Sequence, residues 1–165
     1  MTEKSPLKNK RVLIVDDEPD ILDTLEELLS MCKITRATNF DDAAELIDSK
    51  KFDLAILDIM GVNGYELLMM ARKKNILSVM LTAHALSVED TEKSYREGAA
   101  LYIPKEKMSE IETYLIDILE AQKHEKSFWW RWLDRFGSYY DTRFGKDWRD
   151  QNPDFWKDFP FFPGI

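Results

Sequence analysis

Cysteine is almost absent from this chain of 165 residues, which contains only Cys32. One thiol cannot form an internal disulfide bond or a cysteine-based metal site, and chains without disulfides are typical of reducing compartments. The sequence also lacks a secretory signal pattern and any apolar run of about 18 residues, the length that a membrane-spanning helix needs. We therefore expect a soluble, cytoplasmic protein.

Excess positive charge is absent too. The net charge is −8, and the acidic excess lies in the first 120 residues, which hold 24 acidic and 15 basic side chains, against 7 and 8 in the remainder. An acidic surface repels phosphate backbones, so this composition disfavours nucleic acid as a partner. The length fits one domain of roughly 120 residues with an appendage.

Acidic residues follow two short apolar runs. The run 12–15 is followed by Asp16, Asp17 and Glu18, and the run 54–57 is followed by Asp58. Such runs are typical of strands buried on both faces of a parallel sheet, and open α/β sheets bind ligands at the carboxyl ends of their strands. The acids are therefore expected to share one pocket, where an all-oxygen set of carboxylates suits Mg²⁺.

The rest of the chain alternates between strand-like and helix-like patterns. Five βα units with short connections predict an α/β fold, a doubly wound five-stranded parallel sheet with helices on both faces. Apolar side chains recur every three or four residues in the first and last helices. The expected strands are 12–15, 34–38, 54–57, 76–81 and 101–103, and the expected helices are 19–31, 41–49, 64–73, 88–97 and one that begins near Lys105.

Asp16 and Asp17 follow the first expected strand, Asp58 the third, Thr82 the fourth and Lys105 the fifth. This order of residue types at the strand ends resembles the response regulator receiver domain of two-component signalling. The resemblance covers about residues 9–123, which leaves 1–8 as an N-terminal tail and 124–165 as an aromatic-rich C-terminal extension. It implies the flavodoxin-like strand order 2-1-3-4-5.

The resemblance also implies the chemistry of the acids. Asp58 would be the phosphoacceptor, because a carboxylate is a competent nucleophile toward a phosphoryl group. Asp16, Asp17 and the backbone carbonyl of Met60 would join Asp58 in holding Mg²⁺, which neutralises charge on the phosphoryl oxygens. A structural alternative stays open, since Asp16 or Glu18 could instead cap the helix that begins at Pro19.

Further residues would sense the phosphoryl group. Lys105 would pair with one phosphoryl oxygen and Thr82 would donate its hydroxyl to another, while Tyr102 would be a switch aromatic that turns inward on phosphorylation. His84 occupies a position that affects phosphate lifetime in the family. Taken alone, Thr82 also fits a strand-end hydroxyl, Tyr102 a half-buried strand aromatic and His84 an exposed loop residue.

Two departures from the family pattern bear on the site. The loop after Asp58 reaches Gly64 in six residues and contains no proline, whereas receivers reach this glycine in eight, so the position of the Met60 carbonyl is in question. Receivers also place proline directly after the lysine, often with a cis bond, whereas Lys105 is followed by Glu106. Because cis bonds are strongly disfavoured without proline, we expect a trans Lys105–Glu106 bond.

The extension holds 14 of the 20 aromatic residues of the chain. It could pack on its own receiver or prolong the last helix to about Phe136, with Gly137 as the stop. It could instead bind a partner or form a homodimer, since Trp, Tyr and Arg are common interface anchors. A balanced charge disfavours attachment to a membrane surface and stacking on single-stranded nucleic acid.

Together these features predict a stand-alone response regulator that takes a phosphoryl group from a histidine kinase or phosphotransfer protein and signals by contact with an unknown downstream protein. It would be a regulatory phosphoacceptor, not a conventional enzyme, because no output domain or enzymatic signature follows. The alternative is a receiver-fold interaction scaffold that acts without phosphorylation. A hydrolase of small phosphate esters would need a substrate pocket and lid that the short connections do not supply.

Overall fold

A computed structural model describes residues 5–82, 88–124, 136 and 140–157. A five-stranded, all-parallel sheet in the order β2-β1-β3-β4-β5 forms its centre, which confirms the predicted fold class and strand order. The strands are β1 (Arg11–Val15), β2 (Lys33–Ala37), β3 (Leu54–Asp58), β4 (Leu77–Thr82) and β5 (Leu101–Pro104).

Five helices connect and follow the strands. They are α1 (Pro19–Leu28), α2 (Phe40–Ser49), α3 (Gly64–Lys73), α4 (Val88–Arg96) and α5 (Ile111–Lys123). Beyond them lie the helical residues 140–144, a 3₁₀ turn (Trp148–Gln151) and α6 (Pro153–Lys157). No helix in these described stretches is both long and apolar enough to cross a bilayer.

Burial explains why the central strands form where they do. All five residues of β3 are buried, whereas β2, at the edge of the sheet, buries only Ala37. A continuous apolar strand needs cover on both faces, which parallel strands with helical crossovers provide. Asp58 is level with Leu81 of β4 and Val15 is level with Leu57 of β3, so the ends of β1, β3 and β4 meet at one edge.

Two helix predictions need correction. α1 ends at Leu28, not at Met31, because Leu29 adopts a non-helical conformation and is buried in the turn to β2. The last helix does not run on from Lys105. A 3₁₀ turn (Lys105–Glu110) comes first, and α5 begins at Ile111.

The described part of the C-terminal extension packs on the receiver domain. We define the aromatic segment as the described part of this extension, residues 136 and 140–157. Its Phe136 ring lies 5.3 Å from that of Tyr114 in α5, and its Phe155 ring lies 5.6 Å from that of Tyr95 in α4. Of the alternatives left open for the extension, packing on the receiver is thereby confirmed for these residues. α5 ends at Lys123, so the alternative of a helix prolonged to about Phe136 is wrong, and Gly137 lies outside the described residues.

Candidate functional site

The acids that follow β1 and β3 lie together, as the sequence predicts. Asp16, Asp17 and Asp58 each offer a carboxylate oxygen, and these three oxygens lie within 4.8 Å of one another. Asp16 is fully buried and Asp58 is 4% exposed, whereas Asp17 is exposed. The pocket therefore has a buried floor of two carboxylates and one acid at its mouth.

Lys105 is the cation of this pocket. It follows the last residue of β5, and its Nζ lies 2.7 Å from Oδ2 of Asp16 and 3.6 Å from Oδ1 of Asp58. Asp16 also accepts a hydrogen bond of 2.9 Å from the backbone N–H of Glu18. Glu18 itself makes no side-chain cap to α1, so the first acid faces the pocket and orders the turn before the helix.

The charge balance of the pocket is unfavourable as it stands. Burial, and next to it the charge of Asp16, raise the pKa of Asp58 to about 7 against the opposing effect of Lys105. Burial also raises the pKa of Asp16, again against Lys105. Burial alone would lower the pKa of Lys105, but Asp16 and Asp58 outweigh it and the net shift is upward. One lysine does not neutralise three close acids, so the pocket favours an added cation.

The donor set fits Mg²⁺. Only carboxylate oxygens come together in this described cluster, and hard cations such as Mg²⁺ prefer oxygen ligands at one or two carboxylates. A divalent ion would remove the repulsion that raises the pKa of Asp58. The candidate ligands are therefore Asp16, Asp17 and Asp58, with a backbone oxygen from the loop that follows Asp58.

That loop is closed tightly by three small residues. Asn63 takes a left-handed conformation with φ of 54°, which turns the chain into α3. A Cβ on Gly64 would collide with the backbone carbonyl of Asp58, and a Cβ on Gly61 would lie 2.5 Å from a carboxylate oxygen of Asp17. The shortened loop thus passes directly over the acids. Met60 is 62% exposed, so its side chain lies outside the buried pocket and its backbone is the part that could serve as a ligand.

Thr82 and Tyr102 lie beside the pocket on neighbouring strands. Thr82 ends β4, level with Pro104 of β5, and is 4% exposed. The Tyr102 side chain is completely buried, which makes the half-buried alternative wrong. His84 lies outside the described residues.

The Lys105–Glu106 bond is trans, as the sequence predicts. Two features escaped sequence reasoning. The close approach of Gly61 to Asp17 was hidden, although a glycine in a short loop is a signal for such an approach. The contact between Tyr140 and α4 had no local signal at all.

Comparison with known proteins identifies the family and the fold. The family model of the response regulator receiver domain matches residues 12–116. The chain belongs to this family. Receiver domains are regulatory phosphoacceptors of two-component systems and take phosphate from histidine kinases or phosphotransfer proteins.

Curated relatives share this receiver with the chain. A two-component response regulator of Arabidopsis thaliana is 36% identical over 101 residues, which are 58% of this chain and 16% of the relative. The uncharacterized transcriptional regulatory protein YrkP of Bacillus subtilis (strain 168) is 38% identical over 87 residues, 50% of this chain and 37% of that protein. The chain thus matches well under half the length of these relatives.

Solved receivers superpose on the same part of the chain. The receiver domain of the Francisella response regulator 1452 is 25% identical with a TM-score of 0.61, and the match covers 70% of this chain and 99% of that one. A CheY-like receiver domain protein of Methanospirillum hungatei JF-1 is 29% identical with a TM-score of 0.59, over 70% and 99% of the two chains.

Proposed function

We propose that this receiver is phosphorylated on Asp58 in the presence of Mg²⁺ and signals by protein contact. One observation carries the proposal: Asp58 ends β3 in a buried pocket, with a carboxylate oxygen within 4.8 Å of oxygens from Asp16 and Asp17 and 3.6 Å from Lys105. This arrangement combines a nucleophile, a cation site and a fixed positive charge.

The reaction would be a single phosphoryl transfer. An Oδ atom of Asp58 attacks the phosphorus of a phosphohistidine on the donor, an O–P bond forms, and the N–P bond breaks as the imidazole leaves with the electron pair. Mg²⁺, when bound to Asp16, Asp17 and a loop carbonyl at Met60, would supply charge neutralisation for the phosphoryl oxygens. The product is an acyl phosphate, which water returns to the carboxylate and inorganic phosphate.

Lys105 and Thr82 would hold the new phosphoryl group. Lys105 sits closer to Asp16 than to Asp58, so its ammonium would turn from Asp16 toward a phosphoryl oxygen carried by Asp58. The Thr82 hydroxyl, at the end of the next strand, would donate a hydrogen bond to another oxygen. Movement of these two side chains would transmit the event to the strands and helices that carry them.

The burial of Tyr102 changes the expected switch. A ring that is already fully buried has no exposed position from which to swing inward. In this chain Tyr102 would instead report phosphorylation through the packing around it. The phosphodonor would be a histidine kinase or a phosphotransfer protein, and the receiving partner would be a protein.

The second candidate is an interaction scaffold that works without phosphorylation. The loop over Asp17 is two residues shorter than the family pattern, and the aromatic segment packs on α4 and α5 in the structure. Both features fit a receiver fold that functions by protein contacts and not by phosphorylation. The two functions differ in whether Asp58 reacts.

Beryllofluoride distinguishes the two functions because it mimics a phosphoryl group on an aspartate. ¹⁹F NMR of the full chain with Mg²⁺ should show saturable, one-to-one binding. Asp58→Ala should abolish this signal, and removal of Mg²⁺ by a chelator should do the same. Glu45→Gln, an acid-to-amide change on the exposed face of α2, should leave it unchanged. Absence of Asp58-dependent binding by the wild type would favour the scaffold.

A further inference from the structure

The aromatic segment is attached to α4 by specific contacts. The hydroxyls of Tyr140 and Thr91 form a short hydrogen bond, and both residues are fully buried. The Asn152 side chain donates a 3.0 Å hydrogen bond to Oε1 of Glu92, one position further along α4. Buried polar groups that satisfy one another fix a single docking geometry, because any slip leaves them unpaired.

Aromatic contacts extend the same interface along α4. The Phe155 ring packs edge-on against Tyr95 at 5.6 Å, and the guanidinium of Arg96 lies 4.9 Å from its centroid. Two hydrogen bonds and two ring contacts therefore join one face of α4 to the segment. The contacting residues of α4 are Thr91, Glu92, Tyr95 and Arg96.

The segment has a small aromatic core of its own. The Trp148 ring lies 5.0 Å from Tyr140 and 4.8 Å from Trp156, and Trp148 is 1% exposed. Trp148 also donates its Nε1–H to Asp141 at 2.9 Å. Because Tyr140 belongs both to this core and to the contact with α4, the segment docks as a packed unit.

The surface beneath this unit is connected to the acidic pocket. α4 follows β4, which ends at Thr82 in the pocket wall. α4 also packs against β5, whose last residue directly precedes Lys105. The segment thus touches a helix that follows Thr82 and packs on the strand before Lys105, and these are the two groups that would move on phosphorylation.

We propose that docking of the aromatic segment on α4 is coupled to the state of Asp58, so that loading Asp58 loosens the segment and makes its rings available to a partner. This inference rests on the proposed function of the pocket. The aromatic segment would occupy the surface of α4 in the unphosphorylated protein, and its release would be the signal to the partner.

The direction of coupling follows from the fit of the docked state. The contacts of Tyr140, Asn152 and Phe155 match one position of α4. Packed interfaces shift between discrete arrangements and do not deform continuously. A displacement of Thr82 and Lys105 toward a phosphoryl oxygen would move α4 and β5 out of that position. The segment therefore opposes loading of Asp58, and loading weakens the segment by the same factor.

Hydrogen–deuterium exchange of the full chain tests this coupling directly. With Mg²⁺ and saturating beryllofluoride, amides of residues 140–144 and 154–157 should exchange faster by at least about fivefold, the lower range of allosteric couplings. Amides of α2, which is remote from the interface, serve as the internal reference. In Asp58→Ala the same additions should change nothing.

The reciprocal experiment removes one docking contact. Phe155→Ala should tighten beryllofluoride binding by about fivefold, because less docking energy then opposes loading. Phe40→Ala, which truncates a similarly half-buried ring at the start of α2, is the matched control and should leave the affinity unchanged. Circular dichroism verifies that both variants keep the wild-type fold.

Each result has a distinct meaning. Faster exchange of the segment on loading, together with tighter binding by Phe155→Ala, supports the coupling. If beryllofluoride binds through Asp58 but the segment exchanges at the same rate or more slowly, the coupling is overturned and the proposed function stands. If no Asp58-dependent binding occurs, both are overturned.

Discussion

Replacing Asp58 by asparagine should stabilise the metal-free protein, and more so at high pH than at low pH. The cause is the raised pKa of Asp58, about 7 in the folded chain against an ordinary 3.8. Between these values the folded state holds a proton that the unfolded state has released. The folded protein therefore loses stability as pH rises through this window. Asparagine keeps the shape of the side chain and has no such titration.

The size of the effect follows from the same pKa. Each unit of pKa difference corresponds to about 1.4 kcal/mol. Between pH 5 and pH 8 the wild type crosses roughly two units of the window, so Asp58→Asn should gain about 3 kcal/mol over the wild type across that range. Well below pH 3.8 this pH-dependent advantage should vanish, because both states of the wild type then hold the proton.

Urea unfolding in the presence of a chelator measures this difference at pH 5 and at pH 8. Glu45→Gln, which removes one exposed carboxylate of α2, controls for the change in net charge. A constant difference between Asp58→Asn and wild type across this range would refute the proposition that the pocket holds a destabilised carboxylate. So would a difference that shrinks as pH rises.

Three further substitutions test separate parts of the site. Gly61→Ala should weaken Mg²⁺ binding by about tenfold or more in calorimetric titration, because its methyl group would press on the Asp17 carboxylate. The control Gly145→Ala, at a similar positive φ far from the pocket, should leave Mg²⁺ binding unchanged. Lys105→Gln should lower the free energy of unfolding at pH 8 by roughly 3 kcal/mol, because the buried acids then lack a compensating positive charge. Added Mg²⁺ should restore part of this loss. An equal loss at pH 5 would contradict this reason. Tyr140→Phe should cost about 1 kcal/mol in urea unfolding, and it should cost less in a Thr91→Val background, where the hydrogen bond between the two hydroxyls is already lost. Equal losses in the two backgrounds would show that this hydrogen bond is not the cause.

The sequence predicts the sheet and the acids well because their signals are local. In a chain that alternates short apolar runs with amphipathic helices, the runs are typical of buried parallel strands. Acids at the carboxyl ends of neighbouring strands then lie at the same edge of the sheet. The bounds of α3 coincide with those expected from Gly64 to Lys73. Prediction was weaker where tertiary packing decides, as at Leu29, which leaves the helix to fill the core.

The loop and the aromatic segment depend on contacts that no local pattern encodes. The short loop after Asp58 is visible in the sequence. Only the structure shows that a left-handed Asn63 closes the loop and that Gly61 lies against Asp17. Fourteen aromatic residues in the extension predict burial somewhere. They do not predict α4 as the site, since Asn152 and Glu92 are 60 residues apart in sequence.

Phosphorylation of Asp58 itself is the most direct test. Incubation of the full chain with acetyl phosphate and Mg²⁺, followed by intact mass spectrometry, should reveal a single added phosphoryl group, and peptide mapping after borohydride reduction should place it on Asp58. The addition should disappear in Asp58→Asn and in the presence of a chelator. Failure of the wild type to gain the group, under conditions in which a known receiver gains it, would contradict the account.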